Sequence, residues 1–230
     1  MRKDVLSDVV VYWCKVSKGR YVNYCWIVEN PLTREAVIID PAWEMDKIQH
    51  VLLENSLTLK AVLITHHHHD HIDLAKPLAQ AYGCDLWISR KERDFYCLEN
   101  YFFKVFDAHH KLRCAGMTVE PIVTPGHTAG STCFKIGNAV FTGDTLFNEG
   151  CGMCVGPGSS SVDLYQSLQM LHSQLNDDVH IYPGHKYSIE LGQTWKFVKS
   201  TNIYLNIRDM NKFVEFRGRS ASTKNAFSFV

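Results

Sequence analysis

The segment Leu59-Lys-Ala-Val-Leu-Ile-Thr65, followed at once by His66-His-His-His-His-Asp-His71, constrains this chain more than any other. An apolar, β-rich run of that kind reads as a strand, and the residues after His71 turn helical. The histidines therefore sit on a strand-to-helix loop, where side chains from several turns of backbone converge on one point. Of the twelve histidines in 230 residues, five lie between His66 and His71, a local excess that points to a metal. Two histidines two apart in extended backbone point the same way, so His66 and His68 can share a cation. Asp70 and His71 are free to turn toward a second centre. His67 and His69 fall on the other side of the loop, as supporting or exposed groups.

The remainder of the chain is that of an ordinary globular protein. Hydrophobic residues make up 46% and charged residues 21%, which excludes a disordered or fibrous chain. Lys+Arg and Asp+Glu are both 24, and a neutral balance argues against a nucleic-acid partner. No apolar stretch approaches the roughly 18 residues of a membrane helix, and the start has no signal-peptide layout, so a cytoplasmic location without a membrane partner is expected. The eight cysteines are scattered and read mostly as buried thiols; only Cys151-Gly-Met-Cys154 has a motif-like spacing, and a structural role is expected for it.

Strands are expected at Val22–Val28, Glu35–Asp40, Leu59–Thr65, Asp85–Ile88, Met117–Thr124, Thr132–Ile136, Ala139–Thr142 and Val179–Tyr182. Helices are expected at Met45–Glu54, at Asp73–Tyr82 with Asp73 as N-cap, and at Val162–Leu175, where Leu164, Leu168, Leu171 and Leu175 form a core-facing stripe. Hairpins mixed with crossovers suggest an α/β class of αββα type, two mixed sheets packed together with helices outside. Without an internal repeat or low-complexity linker, residues 1–230 read as one domain. A short extension from about residue 196 carries Lys196, Lys199, Arg208, Lys212, Arg217, Arg219 and Lys224 against Asp209 and Glu215, and is basic.

One loop cannot close a metal site, and three further candidates occur at predicted strand ends. They are His127 in Thr124-Pro-Gly-His-Thr-Ala-Gly-Ser131, Asp144 in Phe141-Thr-Gly-Asp-Thr-Leu-Phe147, and His185 in Tyr182-Pro-Gly-His. Singly each is a turn residue. Together at strand ends they form a ligand set.

The ordered set Thr65-His66-x-His68-x-Asp70-His71, His127, Asp144 and His185 resembles the metallo-β-lactamase fold hydrolases, and is most similar to the glyoxalase II-like thioesterases, over roughly residues 20 to 190. The resemblance implies two zinc ions per chain, one on His66, His68 and His127, a second on Asp70, His71 and His185, with Asp144 bridging. It implies a metal-dependent hydrolase in which Asp70 and Asp144 act beside a metal-activated hydroxide that attacks a thioester carbonyl. None of the matched positions is a cysteine, which separates the chain from lactamases that use one as a zinc ligand.

The chain departs from the glutathione-using members after the bridging aspartate. There the segment reads Gly150-Cys-Gly-Met-Cys-Val155, with Met153 in place of the basic residue and Val155 in place of the tyrosine, and Asp73-Leu74 replaces a paired glycine. The 45 residues after His185 look too few for the helical domain that grips glutathione. Met153 and Val155 are accordingly candidates to line a site for another thiol carrier, coenzyme A or the pantetheine arm of an acyl carrier protein. These departures resemble the zinc hydrolases of bacterial polyketide biosynthesis, of the bacillaene type. The alternatives are a mononuclear iron persulfide dioxygenase of the same fold, with iron on His66, His127 and Asp144, and a divergent hydroxyacylglutathione hydrolase. A nuclease is disfavoured by the neutral charge, and a noncatalytic binding module by the complete ligand set.

Overall fold

The structure is a computed structural model that describes residues 2–108 and 110–219. Among these residues the strands form two sheets. The first orders β1 (Lys3–Val5), β2 (Val10–Lys18), β3 (Tyr21–Glu29), β4 (Glu35–Ile39), β5 (Thr58–Leu63), β6 (Asp85–Ser89) and β7 (Lys104–Phe106) edge to edge in chain order. Its first four strands run antiparallel and β4 to β7 run parallel. The second contains β8 (Leu112–Cys114), β9 (Met117–Val123), β10 (Thr132–Ile136), β11 (Ala139–Gly143), β12 (His180–Pro183) and β13 (Gln193–Thr194), with β11 and β12 parallel and the other neighbours antiparallel. Parallel neighbours need crossovers. Helix α1 (Met45–Glu54) makes the one from β4 to β5, and α2 (His69–Ile72) with α3 (Ala75–Tyr82) the one from β5 to β6. Helix α4 (Arg90–Phe95) lies between β6 and β7, and α5 (Ser161–Gln174) makes the crossover from β11 to β12. Helices α6 (Trp195–Thr201) and α7 (Met210–Gly218) close the described chain.

Three apolar layers follow from the side-chain alternation of these strands. Val11, Trp13, Trp26, Val37 and Leu63 of the first sheet meet Val119, Phe134, Phe141 and Tyr182 of the second. The opposite face of the first sheet, with Tyr12, Ile38 and Val62, packs on Ile48, Val51 and Leu52 of α1 and Leu78 of α3. The outer face of the second sheet packs on Leu164, Leu168 and Leu171 of α5 and on Trp195, Val198 and Phe213. The fold is the expected αββα sandwich. Truncating one of the fully buried α5 leucines to alanine costs about 2–5 kcal/mol.

Elements β1, β7, β8, β13 and α4 are additions to the sequence expectation, and three further differences concern β2, the start of α3 and the segment from residue 196. Strand β2 is buried on both faces over Val10–Cys14, so it lacks the alternation that marks a half-buried strand. Asp73 does not cap α3, which begins at Ala75 after Leu74. Its carboxylate instead accepts from Trp43 Nε1 (3.0 Å) and meets the His69 ring (3.0 Å) and Lys18 (3.4 Å). The basic segment from residue 196 is folded: α6 and α7 bury Val198 and Phe213, while Lys196, Arg208 and Lys212 are exposed. Lys224 lies outside the described residues.

Candidate metal centre

Strands β5, β9, β11 and β12 each lead, at their carboxyl ends, into predicted residues: β5 into His66 and His68 and then Asp70 and His71 of α2, β9 into His127, β11 into Asp144 and β12 into His185. Backbone bonds join the two sheets at this edge, from Thr132 N to Thr65 O (3.0 Å) and from Tyr24 N to Gly184 O (2.9 Å). Gly184 has to be glycine, because a Cβ there would sit 2.6 Å from His71 Cε1 and 2.9 Å from Asp144 Oδ1.

The loops converge. One ligand atom each of His66, His68 and His127 lies within 4.8 Å of the other two, and the same holds for Asp70, His71 and His185. Asp144 stands between these groups, with Oδ1 3.3 Å from His71 Nε2 and 3.4 Å from His185 Nε2, and Oδ2 3.7 Å from His127 Nε2. His66 Nε2, His71 Nε2 and Asp144 Oδ1 are buried and make no hydrogen bond of acceptable geometry. Buried polar atoms without a partner are costly. Several around one point, on atom types that ligate divalent ions, are what a metal-binding cradle requires, so the residues fit the expected cations.

Supporting bonds select which ring nitrogen faces the centre. His71 donates through Nδ1 to Asp40 Oδ2 (2.8 Å), His127 to the Met153 carbonyl (2.6 Å) and His185 to the Val22 carbonyl (2.8 Å), which turns Nε2 of each inward. His68 is the exception. It points Nδ1 at His127 Nε2, 3.0 Å away. Asp40, His66 and His71 form a third close grouping, but both Asp40 oxygens already accept bonds, from Thr65 N (2.8 Å), Thr65 Oγ1 (2.6 Å) and His71, so Asp40 acts as a brace. Sequence reasoning passed over Asp40. Its signal was a carboxylate at the end of the strand beside β5.

The electrostatics differ across the centre. Burial, reinforced by neighbouring imidazoles, pushes His66 well below the ordinary histidine range and His68 down to about 4. Burial also opposes charge on His71 and His185, but Asp144 outweighs it, with Asp70 and, for His71, Asp40. His71 is raised well above its usual value and His185 to about 9. In turn, Asp70 is held at about 2 against its own burial by His71 and His185, and Asp144 lies well below the carboxylate range for the same reason. Without a cation, protons on His71 and His185 neutralise the acidic half; a bound cation would displace them.

The other predicted residues lie around this centre. His69 is exposed, whereas the half-buried His67 ring bonds to Glu92 and stacks on Tyr96 at 3.7 Å between centroids. The side chains of Met153 (64% exposed) and Val155 (75%) open to solvent, although the Met153 carbonyl braces His127. Cys151 is buried in the outer core of the second sheet, with Cys154 partly buried against it. Arg217 of α7 donates from Nε to the Gly152 carbonyl (2.9 Å).

Fold and site together define a metal-centre protein of the αββα type, and residues 19–185 match the metallo-beta-lactamase superfamily. The chain belongs to that superfamily. It is 38% identical over 215 residues to a probable polyketide biosynthesis zinc-dependent hydrolase, PksB, of Bacillus subtilis, covering 92% of this chain and 95% of that one. It is 36% identical over 168 residues to a hydroxyacylglutathione hydrolase of Hydrogenovibrio crunogenus, covering 72% of this chain and 60% of that one. Among solved structures, ETHE1 from Myxococcus xanthus superposes with a TM-score of 0.79 at 25% identity, over 93% of this chain and 92% of the other.

Proposed function

We propose that this protein is a binuclear zinc hydrolase that cleaves acyl thioesters, with the acyl group carried on an acyl carrier protein, pantetheine or coenzyme A, in polyketide biosynthesis. That it is a metal-dependent hydrolase follows from its family and its relatives. The observation that carries the binuclear reading is Asp144, whose two oxygens face imidazoles of different clusters at 3.3 to 3.7 Å.

In this reading His66, His68 and His127 hold one ion, Asp70, His71 and His185 the other, and Asp144 lies between them. Bound zinc supplies Lewis acidity and lowers the pKa of water toward neutrality. The chain's own part is to orient and to handle protons. Asp40 and the carbonyls of Met153 and Val22 hold three rings with Nε2 inward. The Asp70 side chain is 25% exposed against 12% for Asp144, so Asp70 is the carboxylate nearer to solvent and to an entering substrate.

The carrier assignment is supported by extended similarity to the polyketide-biosynthesis hydrolase and by an uncharged side chain, Met153, at the position of the expected basic group. The exposed Lys196, Arg208 and Lys212 suit an acidic carrier. One acyl group presented on glutathione, coenzyme A, pantetheine and a carrier protein, with zinc counted per chain, tests it. Higher kcat/KM on the pantetheine thioesters and two zinc ions are expected. A roughly tenfold preference for lactoylglutathione would make this a divergent hydroxyacylglutathione hydrolase, and one iron without zinc would favour the dioxygenase.

A further inference from the structure

Helix α4 carries none of the proposed ligands, yet its Glu92 is fully buried. A buried carboxylate persists only where donors surround it. Glu92 Oε1 accepts from His67 N (3.0 Å) and His67 Nδ1 (2.7 Å), and Oε2 from Gly130 N (2.7 Å) and Thr128 Oγ1 (2.9 Å). All four donors belong to two loops. His67 lies between His66 and His68, while Thr128 and Gly130 follow His127.

The surroundings tighten the same link. Ser89 caps α4 by accepting from Glu92 N (3.1 Å) and donates to the Gly130 carbonyl (2.7 Å). A Cβ at Gly130 would lie 2.6 Å from Ser89 Oγ and 2.7 Å from Glu92 Cα, so glycine is what admits the helix start this close. Just past the helix, Tyr96 stacks on His67, accepts from Ala129 N (3.2 Å) and donates to the Pro157 carbonyl (2.8 Å).

We infer that Glu92 is a positioning residue that fixes the His66–His68 loop against the His127 loop and thereby sets the affinity of that three-imidazole cluster for a divalent cation. The inference rests on the metal reading above. Its physical basis is that this cluster is made of imidazoles alone, with no carboxylate among its three members to draw a cation in, so it depends on being held in shape beforehand. The Asp70–His71–His185 cluster has a carboxylate of its own and supplies none of the four donors to Glu92, which makes it an internal control.

The test is calorimetric titration of metal-free protein with zinc, repeated with cobalt to follow its absorption bands, on the wild type and Glu92→Gln. Glutamine keeps the shape but turns an NH2 toward one pair of donors. The wild type should take up two zinc ions in two steps, and Glu92→Gln should weaken one step about tenfold or more while the other stays within about twofold. Equal weakening of both steps, the mark of a merely structural role, overturns the inference, as does no change in either. Thr128→Val removes one donor to Oε2 and should weaken the same step to a smaller extent; it decides the question if Glu92→Gln does not fold. A wild type that takes up no zinc overturns the metal reading together with the inference. If it takes up one, only the binuclear part fails, and Glu92→Gln must still weaken that single step.

Discussion

His66 and His68 on one side of Asp144, and His71 and His185 on the other, are comparable in chemistry and differ in charge. The first pair is driven toward the neutral form by burial among imidazoles. The second is as deeply buried but is driven toward the protonated form when no cation is bound, because Asp144 and Asp70 outweigh desolvation. Their braces differ in kind as well. The first half, with His127, is tied together by Glu92 and the Met153 carbonyl, from outside the proposed ligand set, whereas the second attracts its own members and is steadied by Asp40 and the Val22 carbonyl. One half of the centre is organised mainly by framework and the other mainly by charge.

Removing what the halves share should have the largest effect. Asp144→Ala takes away the carboxylate facing both clusters and the main charge that raises His71 and His185. We expect zinc content well below that of the wild type and kcat/KM lower by about three orders of magnitude, the equivalent of roughly 4 kcal/mol of transition-state stabilisation. Elemental analysis and steady-state kinetics measure both. Zinc content at the wild-type level would mean that Asp144 is no ligand.

Asp40→Asn separates the halves from the charged side. The amide still fills the space, but it cannot accept from Thr65 N, Thr65 Oγ1 and the His71 ring together. Affinity of one zinc step should fall roughly 10- to 100-fold with the other spared, and the donor left unpaired should lower stability by about 1–3 kcal/mol. If Asp40→Asn and Glu92→Gln weaken the same step in a zinc titration, the division into a framework-held and a charge-held half is wrong.

The same division explains what the sequence could convey. The charge-bearing and ring-bearing groups proposed as ligands were legible because His66, His68, His127, Asp144 and His185 lie in loops that follow strands, and Asp70 and His71 in the short helix next along the chain, where local pattern and turn residues mark them. The sandwich was legible from alternating strands and the α5 stripe. What escaped was whatever depends on contacts distant in sequence. Helix α4, six residues with five charges, has no stripe to announce it, and Glu92 acquires its role only when the turns at His67 and Gly130 meet it. Strand β2 was hidden by being apolar on both faces. Asp73 offered the right residue type for a cap, but Trp43 and His69 claim its carboxylate.

The smallest expected effect concerns the mouth of the framework-held half. Met153 contributes its carbonyl to His127 while its side chain is 64% exposed, so changing the side chain leaves the brace in place. Met153→Lys should therefore keep zinc content unchanged and restore the positive charge that glutathione carboxylates would meet. Buried, such a charge-assisted bond would be worth a large factor. At an exposed position solvent and salt screen it to about 0.2–1 kcal/mol, roughly a 1.5- to 5-fold gain in kcat/KM for glutathione thioesters with little change for pantetheine thioesters. The gain should shrink as salt is raised. A gain of about a hundredfold would mean that the loop closes over substrate and removes Met153 from water, and a loss of zinc would mean that side chain and brace are not separable.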